Sequence, residues 1–368
     1  MDDYQNWMRQ ALQEARRAWG ETHPNPLVGA LIVEAGDIVA RGWHARSGEA
    51  HAEINALRSL GRLPKPGATL VVTLEPCSTH GRTGACTNAI LNAGISRVLA
   101  GAADPFPAHA GRGFTLLRSA GVEVITGVLE EECTDLNLIF NHWAVTGQPL
   151  VALKTASTLD GRIATRTGQS QWITGAAARA DVMLWRRYFP AIATSAATVL
   201  ADNPRLTSRT ADAPEWCPVR FIFDRRLRTA DRGGLNVFED AFAARTIIVT
   251  ADTAPAGQVA ALERRGITVW RLDVRDDATL FGAFKQKCAA AGLTGVLVEG
   301  GGTFSGAWLK ARAADYLFHY TAPKVLADTE ALPAFAGAPC PALEKAFTLQ
   351  HIRHAVLGDD ILTRGHLT

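Results

Sequence analysis

Apolar residues at Tyr4, Met8, Ala11, Leu12, Ala15 and Trp19 recur at helical spacing between polar positions, which predicts an amphipathic first helix. His23-Pro24-Asn25-Pro26 breaks it. The period then changes. LVGALIV (27–33) is a short apolar run rich in branched residues, hence a strand, and IVARGWH after Asp37 supplies its hairpin partner. AHAEINALRSLG (50–61) returns to helical spacing and stops at Gly61. ATLVVTLEP (68–76) reads as a buried strand, CTNAILNAG (86–94) as a helix stopped by Gly94, and SRVLAGAAD (96–104) as another strand. FTLLRSAGVEVITGVLEEE carries a helix, a strand and a turn. Such alternation predicts an α/β layer sandwich.

The pattern resets near Thr146-Gly147-Gln148-Pro149. LVALKTAST opens a second unit. PAIATSAATVLAD, VRFIFD, ARTIIVTAD, GITVWRLD, TGVLVEGGG and YLFHYTAPKVLA are further strand-like runs with helical stretches between them. The expected domains are therefore 1–146 and 147–368, in keeping with a chain of 368 residues.

Composition narrows the class. Formal net charge is +2 and no long run of like charges occurs, which argues against a nucleic-acid surface or a basic membrane patch. No apolar run approaches the roughly 20 residues of a membrane span. The acidic, polar start MDDYQNWMRQ is no secretory signal, so the expected location is cytoplasmic. The six cysteines then read as reduced thiols. Four of them, Cys133, Cys217, Cys288 and Cys340, have no partner motif and are expected to be buried small hydrophobes.

The other two belong to a motif. His51-Ala52-Glu53 opens a predicted helix, Pro76-Cys77 follows a strand, and Cys86 opens the next helix. One imidazole and two thiolates suit Zn²⁺ and leave a fourth position for water, which the metal would acidify. Glu53, two residues from a ligand, reaches that water without occupying the metal and is placed to move its proton to a departing amine. His-x-Glu followed by Pro-Cys and a further Cys is the pattern of zinc deaminases. In the second unit the sequence of GVLVEGGGTFSGAWLKA (295–311) puts glycines at a strand-to-helix junction, which fits either an ordinary tight turn or a loop whose amides approach a phosphate. It is not a G-x-G-x-x-G fingerprint. Thr174 is expected to cap the helix AAARADVMLWRRY.

Longer segments carry a resemblance. PCSTHGRTGAC, with eight residues between its cysteines, resembles the Pro-Cys-Ser-His-x-Gly-[Arg/Lys]-Thr-Pro-Pro-Cys segment of the riboflavin-pathway deaminases. Cytidine and tRNA-adenosine deaminases use a tight Cys-x-x-Cys instead. HPNPLVGALIV and GWHARSGEAHAE are similar to other segments of the riboflavin family. The ordered set LKTASTLDG, SQWIT, TVLADNPRLT, VEGG and APK is similar to the reductase domain of its bifunctional deaminase–reductase members. The resemblance runs from about residue 4 to the C-terminus. It implies an α/β protein with a cytidine-deaminase-like three-layer α/β/α domain followed by a dihydrofolate-reductase-like α/β domain. It implies Zn²⁺ and NADPH as cofactors.

The implied activity is deamination of a diamino-ribosylamino-pyrimidinone 5′-phosphate, followed by reduction of the ribosyl to the ribityl side chain. Beside the ligands His51, Cys77 and Cys86 and the catalytic Glu53, it assigns Asn25, His44 and Arg82 to the pyrimidine substrate. Ala156, Trp172, Thr198, Asp202, Gly301, Gly302 and Thr303 would line the NADPH site. Lys154, Ser170, Arg186, Leu206, Arg209 and Glu299 would contact the reductase substrate, with Arg186 and Arg209 suited to bidentate phosphate recognition. The expected partner is a small pyrimidine ribosyl phosphate, with no nucleic acid and no membrane, and the expected assembly is a homo-oligomer.

Thr79, Gly84-Ala85, Arg225 and Ala327-Asp328 depart from the family's usual residues. Thr79 and Gly84-Ala85 leave room for one alternative, a paralogous deaminase–reductase acting on a related aminopyrimidine in secondary metabolism, while Arg225 and Ala327-Asp328 bear on cofactor or loop details. A nucleic-acid deaminase is disfavoured by the cysteine spacing and charge, and a non-catalytic zinc scaffold by Glu53.

Overall fold

A computed structural model describes residues 2–78, 84–211, 213–337 and 339–368. Two compact units divide it, 1–147 and 148–368.

The first unit begins with helix α1 (Asp2–Arg16), whose face of Met8, Ala11, Leu12 and Ala15 is buried. Strands β1 (Gly29–Glu34) and β2 (Asp37–Trp43) form the hairpin, and α2 (Ala52–Leu60) ends at Gly61 in the left-handed conformation. Then follow β3 (Thr69–Leu74), α3 (Cys86–Asn92), β4 (Arg97–Ala102), α4 (Arg112–Ser119), β5 (Glu123–Ile125), α5 (Glu130–Leu136) and α6 (Leu138–Thr146). The sheet order is β2-β1-β3-β4-β5, antiparallel across β1 and parallel from β3 onward.

Two glycines fix the layers. A Cβ on Gly29 would lie 2.0 Å from the Ala11 carbonyl oxygen, and one on Gly42 would lie 2.2 Å from the Ala56 amide nitrogen. Gly42 pairs with Ala30, whose side is opposite to that of its neighbour Gly29. The backbones of α1 and α2 therefore press on opposite faces of the sheet. The all-buried strands β1 and β3 are apolar on both faces for the same reason.

The second unit runs β6 (Leu150–Thr158), β7 (Arg162–Ala164), α7 (Ala176–Tyr188), β8 (Ala191–Ser195), α8 (Ala196–Asp202), β9 (Val219–Phe223), α9 (Asn236–Glu239), β10 (Thr246–Ala251), α10 (Ala256–Arg264) and β11 (Thr268–Leu272). It continues with α11 (Asp277–Ala290), β12 (Gly295–Glu299), α12 (Gly302–Lys310), β13 (Tyr316–Ala322), β14 (Leu332–Pro333), β15 (Leu349–Leu357) and β16 (Asp360–Leu367). Its nine-stranded sheet is ordered β11-β10-β9-β8-β12-β6-β13-β16-β15. The strands from β11 to β13 are parallel, and β16 and β15 add an antiparallel edge. One core is built on Phe221, Phe223, Phe281, Phe284 and Trp308. Phe281 and Trp308 stack with ring centroids 3.8 Å apart.

Several expectations need correction. PAIATSAATVLAD is half strand and half helix, because Ser195 caps α8 by accepting from the Thr198 amide. Thr174 does not cap α7. The N-cap is Gly175, and its amide donates to Asp360 Oδ2 at 2.7 Å. Helix α1 ends at Arg16, before Trp19. Cys133, Cys217 and Cys288 are buried, but Cys340 is exposed and lines an apolar cavity with Leu309, Leu317 and Phe335. The C-terminal hairpin β15–β16 went unread in the sequence, since β15 alternates too weakly to bury a face.

Candidate active sites

In the first unit, three side chains converge at the starts of two helices. His51 is the N-cap of α2 and Cys86 the first residue of α3. Cys77 follows the end of β3. His51 Nδ1 lies 3.6 Å from Cys77 Sγ and 3.3 Å from Cys86 Sγ, and all three atoms fall within 4.8 Å of one another. The Cys86 amide donates to Cys77 Sγ at 3.3 Å. Helix N-termini favour thiolates. The Cys77 thiol is held well below the usual thiol range by its hydrogen bond with Cys86, and then by His51. This donor set, one imidazole and a pair of thiols with an amide-stabilised sulfur, fits Zn²⁺.

Glu53 sits in the first turn of α2 and is 3% exposed. Burial pushes its carboxyl up, with His51 and a hydrogen bond to Cys86 opposing. A buried carboxylate beside a metal donor set can hold a proton near neutral pH.

Asn25 and His44 belong to the same place. Asn25 Nδ2 lies 3.1 Å from His44 Nε2, and His44 Nδ1 lies 3.1 Å from the Ala50 carbonyl oxygen. A carbonyl only accepts, so His44 donates through Nδ1 and accepts from the Asn25 amide through Nε2. Burial lowers the His44 pKa, which suits this neutral form. Its ring meets His51 edge-on at 5.5 Å. Arg82, Thr79 and His80 lie outside the described residues.

Two further residues order this site and were missed in the sequence. Glu75, 5% exposed, accepts backbone hydrogen bonds from Asp104, Gly111, Gly113 and Phe114. It clamps the loop before α4 to the strand that delivers Cys77. Its signal was a charged residue ending an otherwise apolar strand, directly before Pro76-Cys77. Asn137 holds Leu27 through both its backbone groups, at 2.7 and 2.9 Å, and so fixes the segment carrying Asn25. No local signal marks a contact 110 residues away.

In the second unit the charged residues meet at β6, β12 and α7. Lys154 and Glu299 are register partners on adjacent parallel strands, and Lys154 Nζ stands 3.9 Å from Glu299 Oε2. Arg186 reaches from α7 to hold Glu299 bidentately at 2.7 and 2.9 Å and donates to the Thr207 carbonyl at 3.1 Å. Burial alone would push the Glu299 carboxyl up. The charges of Arg186 and Lys154 outweigh it and hold the carboxyl at about 2. Arg186 is thus committed to Glu299, which leaves it less free for bidentate phosphate recognition than the sequence suggested. Arg209 is exposed and donates to Thr207 Oγ1 at 2.7 Å. Leu206 is buried with a positive φ of 56°, and Ser170 is half-buried.

Extending the strand registers past the carboxyl ends brings Ala156, Gly301 and Ala196 level in one row across β6, β12 and β8. Thr198 lies in the first turn of α8 and Asp202 at its exposed end. Of the three glycines, Gly302 is required by packing, since a Cβ there would lie 2.1 Å from the Pro333 carbonyl oxygen. Gly301 faces open space. Thr303 is exposed on α12, and the first amides of that helix have no intrahelical acceptor. Trp172 is 62% exposed, with the Arg179 guanidinium 4.6 Å from its ring centre. An open glycine, two helix starts and an exposed indole along strand carboxyl ends fit a dinucleotide. Asp160 accepts from Thr158, Leu326 and Ala327 and ties two loops together.

Comparison with known proteins finds relatives along the whole chain. Residues 1–102 match the model of the cytidine and deoxycytidylate deaminase zinc-binding region, and 149–363 match that of the RibD C-terminal domain. The riboflavin biosynthesis protein RibD of Bacillus amyloliquefaciens is 41% identical over 98% of this chain and 95% of its own. That of Escherichia coli is 39% identical over 98% of both. Among solved structures, Acinetobacter baumannii RibD superposes with a TM-score of 0.81 at 32% identity, covering 100% of this chain and 99% of its own. The Thermotoga maritima diaminohydroxyphosphoribosylaminopyrimidine deaminase/5-amino-6-(5-phosphoribosylamino)uracil reductase superposes with a TM-score of 0.82 at 33% identity, with the same coverage.

Proposed function

The chain belongs to the RibD family of bifunctional riboflavin biosynthesis proteins, and from that premise we propose which of its residues perform each reaction. It is a zinc-dependent deaminase and an NADPH-dependent reductase. It hydrolyses the amino group of 2,5-diamino-6-ribosylamino-4(3H)-pyrimidinone 5′-phosphate and reduces the ribosyl to the ribityl side chain. The N-terminal half is cytidine-deaminase-like and the C-terminal half dihydrofolate-reductase-like.

In our reading residues 1–146 carry the deamination and 147–368 the reduction. His51, Cys77 and Cys86 hold the zinc, which when bound supplies the Lewis acidity that makes water nucleophilic near neutral pH. Glu53 takes the proton released as water adds to the ring carbon bearing the amine, and returns it to the nitrogen that leaves as ammonia. Asn25 and His44 hold the pyrimidine, their polarity set by the Ala50 carbonyl. Arg82 serves the same substrate. The observation that carries this assignment is the meeting of three metal donors within 4.8 Å beside the buried Glu53.

In the reductase half Lys154, Glu299 and Arg186 form the charged floor under the sugar, with Ser170, Leu206 and Arg209 at its edge. Ala156, Trp172, Thr198, Asp202, Gly301, Gly302 and Thr303 line the dinucleotide. When bound by these residues, NADPH would supply a hydride to the ribosyl C1′, and the ring oxygen that leaves C1′ would take up a proton to complete the ribityl chain. The reading also takes the protein as cytoplasmic, without a nucleic-acid partner, and as a homo-oligomer. No helix among the described residues is long and apolar enough to cross a membrane. The edge strand β15, with Ile352 and Val356 exposed, offers a surface for self-association.

Glu53→Gln tests the first half. It should retain zinc by metal analysis while ammonia release falls by about 10²–10⁴-fold. Normal turnover would remove Glu53 from the mechanism.

A further inference from the structure

At the edge of the charged floor a short strand bridge brings Glu215 beside Arg209. The amides of Ser208 and Trp216 each donate to the other's carbonyl, at 2.8 and 3.0 Å, in an isolated antiparallel bridge. Extending that pairing sets Arg209 opposite Glu215 and turns Thr207, Arg209 and Glu215 to one side of it. The bridge is anchored to α7, because the Ser208 hydroxyl donates to the Met183 carbonyl at 2.6 Å. Thr207 is 0% exposed, and its carbonyl accepts from Arg186.

Each oxygen of the Glu215 carboxylate has its own partner. Oε1 accepts the Thr207 hydroxyl at 2.6 Å, and Oε2 accepts from Arg205 Nη2 at 2.9 Å. A carboxylate only accepts, so the Thr207 proton lies on the Glu215 side and the hydroxyl lone pairs are left for a donor. Arg209 Nη1 is that donor, at 2.7 Å. The chain from carboxylate through hydroxyl to guanidinium therefore runs in one direction. It fixes one arm of Arg209 on a neutral oxygen. Among the described residues Arg209 forms no ion pair, whereas Arg205 is neutralised by Glu215.

We propose that Glu215 is a positioning residue of the reductase, acting through the Thr207 hydroxyl to hold the Arg209 guanidinium ready for the anionic 5′-phosphate of the substrate. Arg186 turns both arms of its fork on Glu299, so Arg209 is the arginine of this pair whose charge remains for an anion. Without the Glu215 carboxylate the Thr207 proton is free to turn toward Arg209, where two donors face each other and the guanidinium loses its fixed point. The inference rests on reading Arg209 as a contact of the reductase substrate.

Steady-state kinetics of the full-length protein with the deaminated intermediate and NADPH test it. Arg209→Gln should raise the KM for the intermediate by about tenfold. Glu215→Gln and Thr207→Val should each raise it by about five- to tenfold, with kcat within about twofold of the wild type and the KM for NADPH unchanged. Thr207→Ser, which keeps the hydroxyl, should stay within about twofold of the wild type in every constant. Added to Arg209→Gln, Glu215→Gln should raise the KM by less than about twofold more, since both changes act on one guanidinium. Effects that multiply in the double variant overturn the proposal, as does an unchanged KM in Glu215→Gln when Arg209→Gln raises it; either result leaves Arg209 a substrate contact. An unchanged KM in Arg209→Gln overturns the reading of Arg209 as well. Should Glu215→Gln fold poorly, Thr207→Val and Thr207→Ser decide, and equal KM values in those two overturn the proposal.

Discussion

The two sites are built in different ways. The deaminase site draws its metal donors and base from short segments at two helix starts and after one strand end, and Glu53 is buried next to the ligands. The reductase site brings together Lys154, Arg186 and Glu299 from two strands and a helix spread over 146 positions, and balances two cations on one carboxylate. The first depends on local sequence, the second on topology. A local site fails in its chemistry when one donor is lost. A topological ion cluster fails in its fold as well, because the remaining buried charges are left unpaired.

Mutations should separate these behaviours. The largest effect belongs to the donors. Cys86→Ala should lose zinc and abolish ammonia release, while reduction of the supplied deaminated intermediate continues. Loss of both activities together would show that the halves do not act separately.

Next comes Glu299→Gln, which leaves Arg186 and Lys154 without their anion and should destabilise the second unit by about 3–5 kcal/mol, read by denaturant unfolding. The pH dependence follows from the same carboxyl. Its folded pKa of about 2 lies below its ordinary 4.5. Its stabilisation is therefore complete above about pH 4.5 and fades as the pH falls toward 2. The wild type should lose stability across that window more steeply than Glu299→Gln. Parallel acid curves would contradict the cluster.

Glu75→Gln should have a smaller effect, about 1–3 kcal/mol on the first unit, because some backbone donors lose their buried acceptor. It should also raise the KM of deamination by loosening the loop before α4. Smallest of all is Cys340→Ser, within about 0.5 kcal/mol by thermal unfolding, since the thiol is exposed.

What was legible in the sequence follows the same division. His51, Glu53, Cys77 and Cys86 are close in sequence, and histidine and cysteine are rare in the chain, so the motif was readable. The hairpin β1–β2 and the helix stop at Gly61 were readable because period and turn chemistry are local. Glu75 and Asn137 were not, because their roles are hydrogen bonds to distant backbone. The bidentate hold of Arg186 on Glu299 was also hidden. Sequence marks both as charges, but only the parallel pairing of β6 with β12 and the position of α7 set them against each other. Asp360 was equally invisible as the acceptor at the start of α7, 185 residues away.

The most direct test of the central claim is a split assay on zinc-loaded protein given the diamino-ribosylamino-pyrimidinone 5′-phosphate, with ammonia and NADPH followed separately. The account predicts ammonia without NADPH, and NADPH consumption only after deamination. In Glu53→Gln, NADPH consumption should return when the deaminated intermediate is supplied. NADPH consumption from the diamino substrate without ammonia release, or a Glu53→Gln enzyme that releases ammonia at the wild-type rate, would contradict it.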